Sequence, residues 1–99
     1  MNWDNTINDM LEAMQQHLEK DWPKMKNATA GFLQQRYERL SKMHELYHTG
    51  DLEKNFLYLR LLEEELLLQS EMNTLAITSI AAIRRATRAA FRVLIRSIF

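Results

Sequence analysis

Apolar residues recur at steps of three and four along most of this chain, the spacing that gathers them on one side of an α-helix. Trp3, Ile7, Met10, Leu11, Met14 and Leu18 form the first such stripe, with Asp9, Glu12, Gln15, Gln16 and Glu19 between them. The pattern predicts a helix from Met1 to Lys20. Asp21-Trp22-Pro23 follows and holds the only proline. Proline lacks an amide hydrogen and clashes with the preceding turn, so it either kinks a continuing helix or opens a new one that Asp21 caps. Because Trp22 and Met25 continue the apolar phase, the kink is favoured. Gly31 is a weak point, since glycine inside a helix costs about 1 kcal/mol relative to alanine. Beyond it, Phe32, Leu33, Tyr37, Leu40, Met43 and Tyr47 restore the stripe. At His48-Thr49-Gly50-Asp51 the chain is expected to turn, Gly50 ending one helix and Asp51 capping the next.

From Asp51 to Phe99 there is neither Gly nor Pro, and the stretch reads as nearly all helix. One straight helix over Leu52 to Ile98 would be about 70 Å long, whereas a compact domain of this size spans about 25 to 35 Å. Either the helix breaks or the molecule is a rod. Met72-Asn73-Thr74 marks the candidate break, with Asn73 or Thr74 able to cap a fourth helix. Before it, apolar residues point almost all round the axis: Leu57, Leu61 and Leu68 lie roughly opposite Leu52, Leu59 and Leu66. A helix that is apolar on opposite sides must be covered on opposite sides. After it, Ala82, Ala86, Ala89, Ala90 and Val93 join Ile80, Ile83, Phe91, Leu94 and Ile98 in one broad arc, and Arg84, Arg85, Arg88, Arg92 and Arg96 fill the complementary arc.

Charge then adds a register. The whole chain carries 13 basic and 13 acidic residues, which gives no overall electrostatic footprint for nucleic acid or an anionic membrane. The distribution is uneven, however. Residues 1–19 hold Asp4, Asp9, Glu12 and Glu19 and no Lys or Arg, while the five arginines near the C-terminus face a single acid, Glu71, in residues 71–99. A hairpin turning at Gly50 and Asp51 would set Asp9 against Arg92, Glu12 near Arg88, Asp4 near Arg96 and Arg36 against Glu65. Exposed pairs contribute only about 0 to 1 kcal/mol each, so they select orientation more than they stabilise.

The absence of cysteine removes disulfides and thiol chemistry and suits a reducing compartment. No signal peptide is read, because Asp4, Asp9 and Glu12 interrupt the region where its apolar core would lie. The uncharged run from Met72 to Ile83 is too short to span a bilayer. A cytoplasmic protein is the expectation.

Candidate chemistry is sparse. His44-Glu45-Leu46-Tyr47-His48 spells His-Glu-x-x-His, in which zinc peptidases use the two histidines as ligands and the Glu as base. Here the motif ends beside a tight turn, lacks a third ligand and faces no substrate cleft, so neither metal nor catalysis is assigned to it. His17 reads as a surface residue. Glu63-Glu64-Glu65 lacks the Glu-x-x-His of di-iron bundles and reads as a polar interruption that fixes helix pairing. The six Met residues, with Trp3 and Trp22, read as adaptable core filling. The arginine arc, Arg84, Arg85, Arg88, Arg92 and Arg96, could bind phosphate or an acidic surface, or simply pair with the first helix. In size and two-helix layout the chain is similar to secreted Trp-x-Gly proteins and to needle subunits of bacterial secretion systems. The turn His48-Thr49-Gly50 has no Trp two residues before its Gly, and no residue role carries over.

The expectation is therefore a single all-α domain over residues 1–99. It is an antiparallel helical hairpin with arms 1–49 and 52–98 about a turn at 50–51, or a four-helix bundle if it breaks near Pro23 and Asn73. Dimerisation is expected because one helix face stays uncovered. The expected function is non-enzymatic and cofactor-free: an adaptor, small chaperone or assembly subunit that pairs with itself or another helical protein, by coiled-coil-like contact, through Leu57, Leu61 and Leu68 or Leu59 and Leu66. Anion or nucleic-acid binding through the arginine arc is the alternative.

Overall fold

The structure is a computed structural model that describes residues 2–75 and 78–99. The chain is all-helical, and among the described residues there is no strand. Four helices, α1 (Trp3–Leu18), α2 (Trp22–His48), α3 (Lys54–Asn73) and α4 (Ile80–Ile98), pack in a bundle-like body. Its principal extents are 41 × 22 × 20 Å. The rod is excluded: the C-terminal half divides into α3 and α4, and every helix packs on two others, with α1 against α4 and α2, and α3 against α4 and α2.

The helix ends explain the path. Asn2 caps α1, its side-chain oxygen accepting from the Asn5 amide at 3.1 Å. Met1, which the sequence reading placed in this helix, lies outside the described residues. The apolar stripe becomes core as its spacing demands, with Trp3, Ile7, Met10, Met14 and Leu18 buried and Leu11 half-buried against them. The kink expected at Pro23 does not occur. A single 3-10 turn, Glu19–Asp21, breaks the chain, and Pro23 stands in the first turn of α2, where its missing amide hydrogen costs nothing. Asp21 contributes no side-chain cap. Glu19 carries the strain of the reversal, at φ 46° and ψ −115°, a conformation that favours glycine. The chain then returns along α1, so that Trp3 stacks edge-on against Tyr37 and His44, with ring centroids 5.9 and 6.2 Å away.

Gly31 does not interrupt α2, which runs straight through it. The predicted turn forms at its C-terminus. Gly50 adopts φ 82°, its amide donates to the Tyr47 carbonyl, and the Asp51 amide reaches back to the Leu46 carbonyl. These two bonds form a Schellman motif and satisfy carbonyls that the helix end would otherwise orphan. Asp51 does not cap α3, which starts three residues later with Glu53 at the N-cap; Asp51 instead accepts the Thr49 hydroxyl at 2.7 Å. Nor do Asn73 and Thr74 cap α4. They end α3, and Ser79 takes the capping role, its hydroxyl oxygen accepting from the Ala82 amide. Ala76 and Ile77, in the stretch where the sequence places the change of pattern, lie outside the described residues.

Two buried threonines cost little. Thr29 and Thr87 donate to the carbonyls of Met25 and Ile83 one turn back, so neither hydroxyl is left unpaired inside the core.

Candidate functional site

Helix α3 has two apolar faces, and the structure treats them differently. Leu57, Leu61, Leu68 and Met72 are buried in the chain's own core. The expectation that Leu57, Leu61 and Leu68 form a partner surface is corrected: α2 and α4 together cover that side of α3, which a two-armed hairpin would have left open. On the opposite side Leu59 and Leu66 remain 58% and 61% exposed. Phe56 and Leu67, which the sequence reading did not single out, are exposed beside them. At about 100° per residue these four side chains fall within roughly a third of the helix circumference, with Glu63 in their midst. Arg60 ties the stripe together, its guanidinium lying 5.1 Å from the Phe56 ring centre and 3.4 Å from the Glu63 carboxylate. The signal for Phe56 and Leu67 was available, since both lie within about 80° of Leu59 on a helical wheel.

Glu64 fixes α3 against α2. Its carboxylate is buried, with one oxygen 3.2 Å from Arg39 Nε and the other 3.7 Å from Arg36 Nε. The sequence register paired Arg36 with Glu65, one residue off, because a register of backbone positions does not fix which of two adjacent side chains faces the other helix. Glu65 turns instead toward α4. Partial burial pushes its carboxyl above the usual range, while Arg88 and Arg92 pull in the opposite direction. It lines an open groove of about 330 Å³ with Tyr58, Leu62, Arg88, Arg92 and Ile95.

The arginines of α4 do lie on one solvent-facing arc, opposite Ile83, Ala86, Ala90 and Leu94. Their expected pairing with α1 is not made. Asp9, Glu12 and Arg96 line one groove of about 450 Å³ between α1 and α4, but among the described residues none of the five arginines has a carboxylate oxygen within 4.0 Å. The two helices meet through their apolar stripes.

His44 and His48 converge at the end of α2. Their Nε2 atoms face each other at 2.8 Å, with ring centroids 4.3 Å apart. Burial and the neighbouring His48 hold the His44 imidazole below its ordinary pKa. Glu45, the base of a would-be peptidase motif, lies near Lys42 at 3.7 Å instead. Tyr47 stacks edge-on with Phe99 at 5.1 Å. This end of the molecule thus collects Trp3 of α1, Tyr37, His44, Tyr47 and His48 of α2, and Phe99, the residue after α4; the return of α2 along α1 is what brings Trp3 to the group. No group of three or more His, Cys, Asp or Glu residues converges among the described residues, and no described helix is long and apolar enough to cross a membrane.

No family model, curated protein or solved structure matches this chain. The candidate site therefore rests on its own geometry.

Proposed function

We propose that the chain is a non-enzymatic helical interaction module that pairs with a second copy of itself through the exposed face of α3, completing a larger helical assembly. The observation that carries this reading is the stripe Phe56, Leu59, Leu66 and Leu67, apolar and open to water on a helix whose other side is already core. Burying such side chains contributes about 1.5 to 3 kcal/mol each when complete, enough in sum to offset much of the entropy lost on association. Charge favours an antiparallel arrangement. On this side of α3 Arg60 comes before Glu63. A two-fold axis between Arg60 and Glu63 sets Arg60 opposite Glu63 of the second copy and Phe56 opposite Leu67 of the second copy, whereas a parallel pair opposes like charges. An adaptor, small-chaperone or assembly role in the cytoplasm suits such a surface. Sedimentation of the purified chain and of a Leu59→Lys, Leu66→Lys variant tests the reading. A dimer that becomes a folded monomer supports it; a monomer that takes up another helical protein through the same residues moves the partner; a dimer unchanged by the double substitution overturns it.

A second reading is favoured by one observation: among the described residues none of the five α4 arginines has a carboxylate oxygen within 4.0 Å. They form a cationic arc able to hold phosphate groups of a nucleic acid or an anionic surface, and affinity through them should fall steeply with salt. Pairing through the α3 stripe should be nearly insensitive to salt.

A further inference from the structure

We propose that His44 and His48 form a two-donor chelate for a divalent transition metal of the copper(II) class at the exposed end of α2, independently of the pairing through α3. The two residues are one helical turn apart, and their Nε2 atoms lie 2.8 Å apart in a hydrogen bond, one ring nitrogen donating to the other, whose proton an ion held by both would replace. An ion about 2.0 Å from both nitrogens would see them at an angle of about 90°. That is the angle between neighbouring positions of a square-planar or tetragonal site, the geometry copper(II) and nickel(II) adopt with nitrogen and oxygen donors. A tetrahedral zinc site would need the nitrogens about 3.3 Å apart. The other positions would be filled by water, since no third side-chain donor converges on the pair among the described residues.

The surroundings hold the donors in place. The Trp3 ring stands edge-on to His44 at 6.2 Å, and Tyr47 lies against His48 at 6.0 Å. His48 is exposed, which gives an ion direct entry from solvent. It is also the last residue of α2, and the carbonyl end of a helix favours positive charge. An ion held by both rings would clamp the final turn of α2 just before the Schellman motif. Because a clamp binds the folded helix alone, it would raise the melting temperature.

Copper(II), nickel(II) and zinc(II) added singly to the full chain in a weakly coordinating buffer provide the probe. Calorimetry gives affinity and stoichiometry, electron paramagnetic resonance counts the equatorial nitrogens, and thermal unfolding reports the clamp. The expected result is one copper per chain with two imidazole nitrogens, tighter than nickel or zinc, and a melting temperature raised by copper. His44→Gln or His48→Gln should weaken copper by about a hundredfold, the loss expected when a chelate becomes a single donor, with the helical circular dichroism unchanged. His17→Gln should bind as the unaltered chain does. Copper bound equally by the His44→Gln or His48→Gln variant, copper lost in His17→Gln, or zinc held more tightly than copper would each overturn the proposal.

Discussion

Helices α3 and α4 are nearly equal in length, 20 and 19 residues, yet they stand in opposite relations to the fold. On α4 every large apolar residue except Ile95 falls on one arc, and α1 and α3 cover that arc apart from Ile80 at the start of the helix; what faces water opposite it is mostly arginine. On α3 the leucines are spread round the axis, so covering one side leaves the other exposed. An amphipathic helix finishes its packing within its own chain, whereas a helix that is apolar on two sides needs something more. The contrast lies in the angular distribution of residues and not in how hydrophobic each helix is.

The largest effect should appear when the two faces of α3 are cut back in the same way. Leu68→Ala removes a fully buried side chain and is expected to cost about 2 to 5 kcal/mol in urea unfolding. Leu59→Ala, on the exposed side, should change the stability of the folded monomer by less than about 0.5 kcal/mol. Equal losses would erase the distinction between the faces. A smaller effect should follow from the polar residue among the buried ones. Removing Arg36 and Arg39 together strands the Glu64 carboxylate in the core and should cost about 3 kcal/mol, toward the low end for a broken buried pair because both arginines are partly exposed. Glu64→Leu should be close to neutral, since it takes away the buried charge together with its need for partners. If Glu64→Leu proves as damaging as the double arginine substitution, Glu64 holds α2 against α3 by more than charge compensation.

The sequence showed the all-α class, the turn at Gly50 and the doubly apolar character of α3, because each depends on local spacing or on the conformational freedom of one residue. It also showed that a straight C-terminal helix would be too long for a compact body, and that Leu59 and Leu66 lie opposite Leu57 and Leu61. Part of what it could not show followed from one local event. The reversal at Glu19–Asp21 needs a residue with a side chain at positive φ, which no propensity anticipates, and the unbroken apolar phase through Trp22 and Met25 pointed the other way. That reversal brings Trp3 to His44; the burial of Leu57, Leu61 and Leu68 follows instead from α4 folding back beside α2 on the same side of α3. The arginine arc was legible as an arc, but whether acids reach it depends on side-chain directions at the α1–α4 contact, which a register of backbone positions does not specify. Ser79 was overlooked as a cap because Asn73 and Thr74, equally able to cap, come first in the sequence.

The most direct test of an antiparallel α3 pair uses the absence of native cysteine. Chains carrying Phe56→Cys and chains carrying Leu67→Cys are oxidised alone and, in a parallel sample, oxidised after being mixed in the reduced state. The account predicts that the mixture forms a disulfide between the two different chains far more readily than either chain does with itself. Self-linking of each variant at the same rate as cross-linking, or no linking in any sample, would contradict it.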